Sequence, residues 1–198
     1  HGECFTREAI VTWKEGAVHS LTRPCPPVNY PLATANSVDP SKICITTLTD
    51  SKISRYSWQR IARCRNFDNV ATLTWPNMKA YADKHGYTIV ENSHLLDHSR
   101  PPAWSKILAV QAMIKQGCEW TLWLDADTVI MNSNIRIESL LPADGIDLIL
   151  TTDRRFTANS GVWLIRSSLW GRQFLQDWWN LRGYVRAKGL SLSGDNQA

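Results

Sequence analysis

The sequence predicts an α/β fold, with a mostly parallel central sheet flanked by helices. Three observations carry that prediction. Short apolar, β-branched runs recur along the chain, each bounded by Asp, Pro or Gly. Helix-periodic segments alternate with these runs through the first half, which implies parallel strands joined by crossovers. Two of those helical segments close on a glycine, at Gly86 and Gly117. A chain of 198 residues that is 43% hydrophobic and 20% charged is folded rather than disordered, and long enough for one good-sized domain.

Residues 1–40 read as an irregular arm or stem, with Pro24-Cys25-Pro26-Pro27 in it and Asn36-Ser37-Val38-Asp39-Pro40 at its end. Residues 41–198 form the folded domain. Its first strand is Lys42–Leu48, bounded by Pro40 and Asp50. Trp58 to His85 has helical character, with Pro76 either kinking one helix or starting a second. Tyr87–Val90 is a second strand. Trp104 to Gln116 repeats apolar residues at helical spacing. Glu119–Leu124, Asp147–Thr151 and Gly161–Ile165 make three further strands, and Ser168 can cap a last helix through Trp179.

The formal charge is only +4, with no dense Lys/Arg block, so nothing indicates a nucleic-acid partner. No apolar run approaches the roughly 20 residues of a membrane-spanning helix. The sequence starts without an initiator Met or a signal-peptide pattern, so it reads as a piece of a longer chain whose anchor would lie upstream. Five cysteines lack zinc spacing, and a disulfide between Cys4 and Cys25 would tie the arm. Ten tryptophans raise the idea of sugar stacking, but most occupy apolar positions of predicted elements and belong to the core.

The strongest chemical signal is Trp123-Leu124-Asp125-Ala126-Asp127-Thr128. Residues i and i+2 of an extended segment point to the same side, so Asp125 and Asp127 converge. Two such carboxylates repel unless a cation lies between them, and hard oxygen ligands suit Mn²⁺ or Mg²⁺. The pair also falls at the carboxyl end of a strand, where open α/β sheets bind ligands. The competing reading is an ordinary turn with one Asp capping amides.

Asn159-Ser160-Gly161 precedes a buried strand: Gly161 lets backbone approach a ligand, and Asn159 can hydrogen-bond sugar hydroxyls. Taken alone, those three residues are a tight turn. Lys106, one turn inside a helix, either reaches a phosphate or is a solvated surface charge. Ser193-Gly194-Asp195-Asn196-Gln197 supplies a carboxylate and two amides, or simply a helix start. Nucleophile-elbow, phosphate-loop and dinucleotide-fingerprint motifs are all missing, which argues against a serine hydrolase, a P-loop enzyme and a Rossmann dehydrogenase.

Ile43–Asp50, Tyr81–Tyr87, Trp104–Ile107, Trp120–Asn132, Asn159–Ser167 and Gly194–Ala198 occur in an order and spacing that resemble glycosyltransferase family 34. That family contains fungal α-galactosyl- and α-mannosyltransferases and plant xyloglucan α-xylosyltransferases. The resemblance implies a GT-A fold and a retaining transfer of galactose, xylose or mannose. The donor would be a UDP- or GDP-sugar and the acceptor a glycan or glycoprotein. It implies Mn²⁺, or Mg²⁺, on Asp125 and Asp127, and donor contacts from Thr47, Thr49, Lys106, Asn159, Ser160 and Gly161. Asp195 and Gln197 would be catalytic, beneath the sugar. Asn196 stands where some members carry a second acid. The resemblance further implies a type II Golgi membrane protein with a lumenal catalytic domain, here C-terminally incomplete. Two rivals stay open: a catalytically inactive carbohydrate-binding GT-A-like domain, and a nucleotidyltransferase.

Overall fold

A computed structural model describes residues 38–50, 69–142, 145–152 and 158–184. Five strands form one sheet: β1 (Ile43–Thr47), β2 (Thr88–Glu91), β3 (Trp120–Leu124), β4 (Leu148–Thr152) and β5 (Ala158–Arg166). Three helices cover it: α1 (Val70–His85), α2 (Ser105–Lys115) and α3 (Leu169–Asn180). The strand order is β2-β1-β3-β5-β4. β1 pairs in parallel with β2 and β3, whereas β5 runs antiparallel to both β3 and β4. Four strands therefore share a direction, and β5 alone opposes them. That reversal brings the start of β5 to the carboxyl end of β3.

The central strands are apolar because both of their faces are covered. Every residue of β1 and β3 is buried. Ile43, Ile45, Leu122 and Leu124 pack with Met78, Tyr81 and Ala82 of α1 and with Ile137 and Leu141. On the opposite face, Trp123, Trp163 and Ile165 pack with Ile107, Val110 and Ile114 of α2 and Leu175 of α3. Trp104, Trp120, Trp123 and Trp163 are all buried. The core reading of these tryptophans therefore holds, while Trp178 and Trp179 are half-buried and Trp170 is 50% exposed.

The helices end as the glycines require. Gly86 (φ 77°) and Gly117 (φ 97°) both adopt left-handed backbone, and the Gly86 amide donates to Ala82 O. α1 starts at Val70, after Asn69, so the described part of the expected helix is shorter than its periodicity suggested; residues 58–68 lie outside the described residues. Pro76 sits in the interior of α1 rather than in a first turn. A single 3₁₀ turn, Pro102–Trp104, leads into α2.

Cys44 and Cys118 form a disulfide across 74 residues, tying the start of β1 to the approach to β3. The pairing considered for Cys4 and Cys25 lies outside the described residues, as does nearly all of the 1–40 arm. Among the described residues, no helix is long and apolar enough to cross a membrane.

Candidate active site

Asp125 is the first residue beyond β3, and three groups fix its position. Its amide donates to Gly161 O at 2.8 Å. Its Oδ1 accepts from Lys106 Nζ at 3.1 Å and from Trp123 Nε1 at 2.9 Å. Lys106 is only 3% exposed, against 27% for Asp125. The Lys106 ammonium also donates to Ser160 O at 2.9 Å and lies 5.5 Å over the Trp123 ring. Burial pulls the Lys106 pKa down, and the carboxylates of Asp125 and Asp127 oppose that pull. Lys106 is thus neither a solvated surface charge nor, in this geometry, a residue reaching outwards for phosphate. Its visible role is to hold Asp125 and the start of β5 together.

An irregularity in the β4–β5 pairing delivers that start. Leu150 pairs with Trp163 but Thr151 pairs with Asn159, so β5 carries extra residues over Ser160–Val162. The Thr151 hydroxyl spans the bulge, lying 3.2 Å from Asn159 O and 3.0 Å from Val162 O. Asn159 Oδ1 turns inward and accepts from the Gly161 amide at 2.8 Å. A Cβ at position 161 would lie 2.9 Å from Asn159 Oδ1 and 3.1 Å from Asp125 Oδ2. Glycine is what allows backbone, rather than a side chain, to border the second oxygen of Asp125. Asn159, Ser160, Gly161, Lys106 and Asp125 thus form one cluster.

Asp127 is half-exposed in the turn closed by Thr128 N donating to Asp125 O at 3.0 Å. The turn and the chain after it are stapled to α1. Thr74 Oγ1 donates to Ala126 O at 2.6 Å, and Asn77 clasps both the amide and the carbonyl of Ile130. Farther along, Tyr87 donates to Glu138, which also pairs with Arg136 at 2.6 Å, and Tyr81 Oη donates to Ile135 O at 2.7 Å. Burial raises the pKa of both tyrosines, so they stay protonated donors.

Thr47 ends β1, next to β3 in the sheet, and its buried Oγ1 has no hydrogen-bond partner among the described residues. Thr49 is tied to Ser93, whose Oγ accepts from its amide at 2.8 Å and donates to its carbonyl at 2.7 Å. Both threonines therefore sit at the carboxyl edge of the sheet, beyond which α/β sheets bind ligands. Asp195 and Gln197 lie outside the described residues.

The donor set suits a hard divalent cation. No group of three or more metal-ligating His, Cys, Asp or Glu side chains occurs among the described residues. Mg²⁺ and similar ions, however, are commonly held by one or two carboxylates plus substrate phosphates and water. The buried ammonium of Lys106 offsets one of the two carboxylate charges. Counting only these three described groups, a divalent ion would leave one positive charge in excess, which favours an anionic co-ligand such as a diphosphate.

Sequence reasoning missed two participants. One is the Trp123 indole N–H, a hydrogen-bond donor as well as core; its i−2 spacing from Asp125 on one strand face was the available signal. The other is the Ser160 carbonyl, whose part depends on the bulge and has no local signature.

Comparison with known proteins extends this reading. The family model described as galactosyl transferase GMA12/MNN10 family matches residues 58–158, about half of the chain. Galactomannan galactosyltransferase 1 of Cyamopsis tetragonoloba is 27% identical over 127 residues, covering 59% of this chain and 29% of the relative. Alpha-1,2-galactosyltransferase of Schizosaccharomyces pombe is 28% identical over 95 residues, covering 43% and 25%. The probable alpha-1,6-mannosyltransferase MNN10 of Saccharomyces cerevisiae is 26% identical over 138 residues, covering 52% and 35%. The matches thus span only 25–35% of these curated relatives. A solved glycosyltransferase involved in the glycosylation of the major capsid of PBCV-1 superposes with a TM-score of 0.54. That match covers 72% of this chain and 67% of the solved one at 20% identity. The likeness shows the fold, which is GT-A-like.

Proposed function

Because this chain belongs to the galactosyl transferase GMA12/MNN10 family, we propose that it is a retaining glycosyltransferase acting on a nucleotide-diphosphate sugar and a glycan acceptor. The observation that carries the reading is the cluster at the carboxyl end of β3. There a buried lysine and a bulged, glycine-bearing strand fix the Asp125 carboxylate, and Asp127 follows two residues on in the turn beyond β3. Asp125 and Asp127 would hold Mn²⁺ or Mg²⁺. When bound, that ion stabilises the negative charge that develops on the leaving nucleoside diphosphate.

The chain's own residues do the positioning. Lys106 and Trp123 keep one Asp125 oxygen turned towards the protein, so the other is presented beside Gly161. Thr47 and Thr49 border the nucleoside end of the donor, and Asn159 borders its sugar. Asp195 and Gln197 act beneath the sugar, with Asp195 as the acid of that loop. Galactose, xylose and mannose are the candidate sugars.

Residues 1–40 would serve as the stem and 41–198 as the catalytic domain of a Golgi type II protein with its domain in the lumen. The Cys44–Cys118 disulfide supports an oxidising compartment.

The test is a screen of UDP- and GDP-sugars with Mn²⁺ on the full chain, comparing wild type with Asp127→Asn. The variant should retain its thermal midpoint and lose at least about 100-fold in turnover, the scale of removing one electrostatic contact to a leaving group. Unchanged Mn²⁺-dependent turnover in the variant would sink the metal assignment.

A further inference from the structure

The two carboxylates beyond β3 are served from opposite faces of the sheet. Asp125 is held by Lys106 of α2, a helix that packs on one face, and by Trp123 of β3. The backbone around Asp127 is held by α1, which packs on the other face. Thr74, Asn77 and Tyr81 recur at i, i+3 and i+7, so they lie along one stripe of α1. Each of the three grips backbone of the chain that follows β3. Thr74 holds Ala126, Asn77 holds Ile130, and Tyr81 holds Ile135.

The first grip departs from what a helical threonine usually does. Such a hydroxyl ordinarily returns its proton to the carbonyl four residues back. Here Val70 O lies at 3.0 Å but Ala126 O is closer, at 2.6 Å, so the single proton is drawn to the loop. Thr74 is buried, which keeps water from taking its place. Ala126 stands between the two carboxylates, and its carbonyl shares a planar peptide unit with the nitrogen of Asp127. Fixing that plane restricts how the backbone enters Asp127. The second grip uses both halves of one amide: Asn77 Nδ2 donates to Ile130 O at 3.1 Å, and Oδ1 accepts from Ile130 N at 2.7 Å. Between the two grips lie Asp127, Thr128 and Val129, with the Thr128 amide donating to Asp125 O at 3.0 Å. Asp127 is thus bracketed on both sides.

We propose that Thr74 and Asn77 are positioning residues for the carboxylate pair, which set the place of Asp127 relative to Asp125 from the α1 side. This rests on the metal-dependent transferase reading of that pair. Two carboxylates that share one ion must be held to within about half an ångström, and neither can be adjusted from its own side chain alone. Partners that orient metal ligands from outside are commonly worth about 10–100-fold in metal affinity. The bland role for the same contacts is to satisfy backbone groups of a partly buried loop. The two roles predict different things. Plain support makes all three grips of the stripe equivalent, whereas positioning acts through the two that flank Asp127 and not through Tyr81, which holds the chain farther on at Ile135.

Calorimetric titration of UDP and GDP into the full chain at graded Mn²⁺ tests the proposal, with thermal midpoints measured alongside in the absence of metal. Thr74→Val keeps the shape and removes the hydroxyl. It should raise the Mn²⁺ concentration needed for half-maximal nucleotide binding by about tenfold or more. Thr74→Ser keeps the hydroxyl and should bind nearly as wild type does. Asn77 is only half-buried, so Asn77→Ala carries less risk to the fold, and it should raise the Mn²⁺ requirement several-fold. Tyr81→Phe removes the third grip and should lower the thermal midpoint while leaving the Mn²⁺ requirement unchanged. The proposal is overturned if either Thr74→Val or Asn77→Ala binds with the Mn²⁺ requirement of wild type. It is overturned too if Tyr81→Phe raises that requirement as much as they do, which would reduce the stripe to general support of the loop. Wild type that binds neither nucleotide in a Mn²⁺-dependent way removes the transferase reading and this inference with it. Wild-type binding with unaltered variants removes the inference alone.

Discussion

The two ends of β5 each depend on a glycine, for opposite reasons. Just past its carboxyl end, a Cβ on Gly171 would lie 2.2 Å from Arg166 O. That neighbour is backbone, so α3 can pack this closely on the strand only without a side chain there. Near its amino end, a Cβ on Gly161 would meet side-chain oxygens, Asn159 Oδ1 at 2.9 Å and Asp125 Oδ2 at 3.1 Å. Around Gly171 the surroundings are core, with Ile165 and Leu175 fully buried. Around Gly161 they are polar, bulged and partly open. One glycine closes the fold, and the other leaves backbone beside a carboxylate that has an oxygen to offer.

The division is not clean, and the largest predicted effect shows where it breaks. Asp125→Ala would strand the ammonium of Lys106, which is 3% exposed, with only the Ser160 oxygens as hydrogen-bond partners among the described residues. Removing one partner of a buried pair costs about 3–5 kcal/mol, so Asp125→Ala should lower stability in chemical denaturation by about that much. Loss of under about 1 kcal/mol would show that Lys106 is hydrated or neutral once unpaired.

Gly171→Ala should come next, at about 2–3 kcal/mol, because overpacking against backbone forces the helix off the strand. Gly161→Ala should instead cost less than about 1 kcal/mol, since side-chain oxygens can shift by tenths of an ångström, yet it should reduce nucleotide-sugar turnover by about tenfold. If the two glycine variants show equal losses of stability, the contrast between the ends of β5 fails.

The smallest effect lies on the α1 side, in the staple that holds the chain after Asp127. Burial, the strongest single influence on Glu138, pushes its pKa up, but hydrogen bonds from Arg136 and Tyr87 outweigh it and leave the value below 4.5. A lowered value in the folded state means that Glu138 contributes fully above pH 4.5 and progressively less as pH falls through its folded value. Thermal midpoints of wild type should therefore drop more steeply than those of Glu138→Gln on acidification below that point. Parallel curves would remove Glu138 from the acid response.

Much of the frame was legible in the residues themselves. β1 and β3 announce themselves as short apolar runs because both of their faces are buried, and Gly86 and Gly117 mark helix ends because only glycine accepts that backbone readily. Asp125 and Asp127 stand out because carboxylates rarely follow a buried strand. What stayed hidden depends on strands meeting. The direction of β5 has no local signature, since alternation reads the same either way along a strand. The burial of Lys106 follows from a bulge that forms only when β4 and β5 pair. The Cys44–Cys118 disulfide likewise needs β1 beside β3, a contact made across 74 residues.

The central claim, that the end of β3 binds a nucleoside diphosphate through a metal, is tested most directly by titrating UDP and GDP into the full chain with and without Mn²⁺. Wild type is expected to bind one of the two nucleotides only when Mn²⁺ is present. Asp127→Asn is expected to lose that binding by about 100-fold at an unchanged thermal midpoint. Equal affinity with and without Mn²⁺, or equal affinity in wild type and Asp127→Asn, would contradict it.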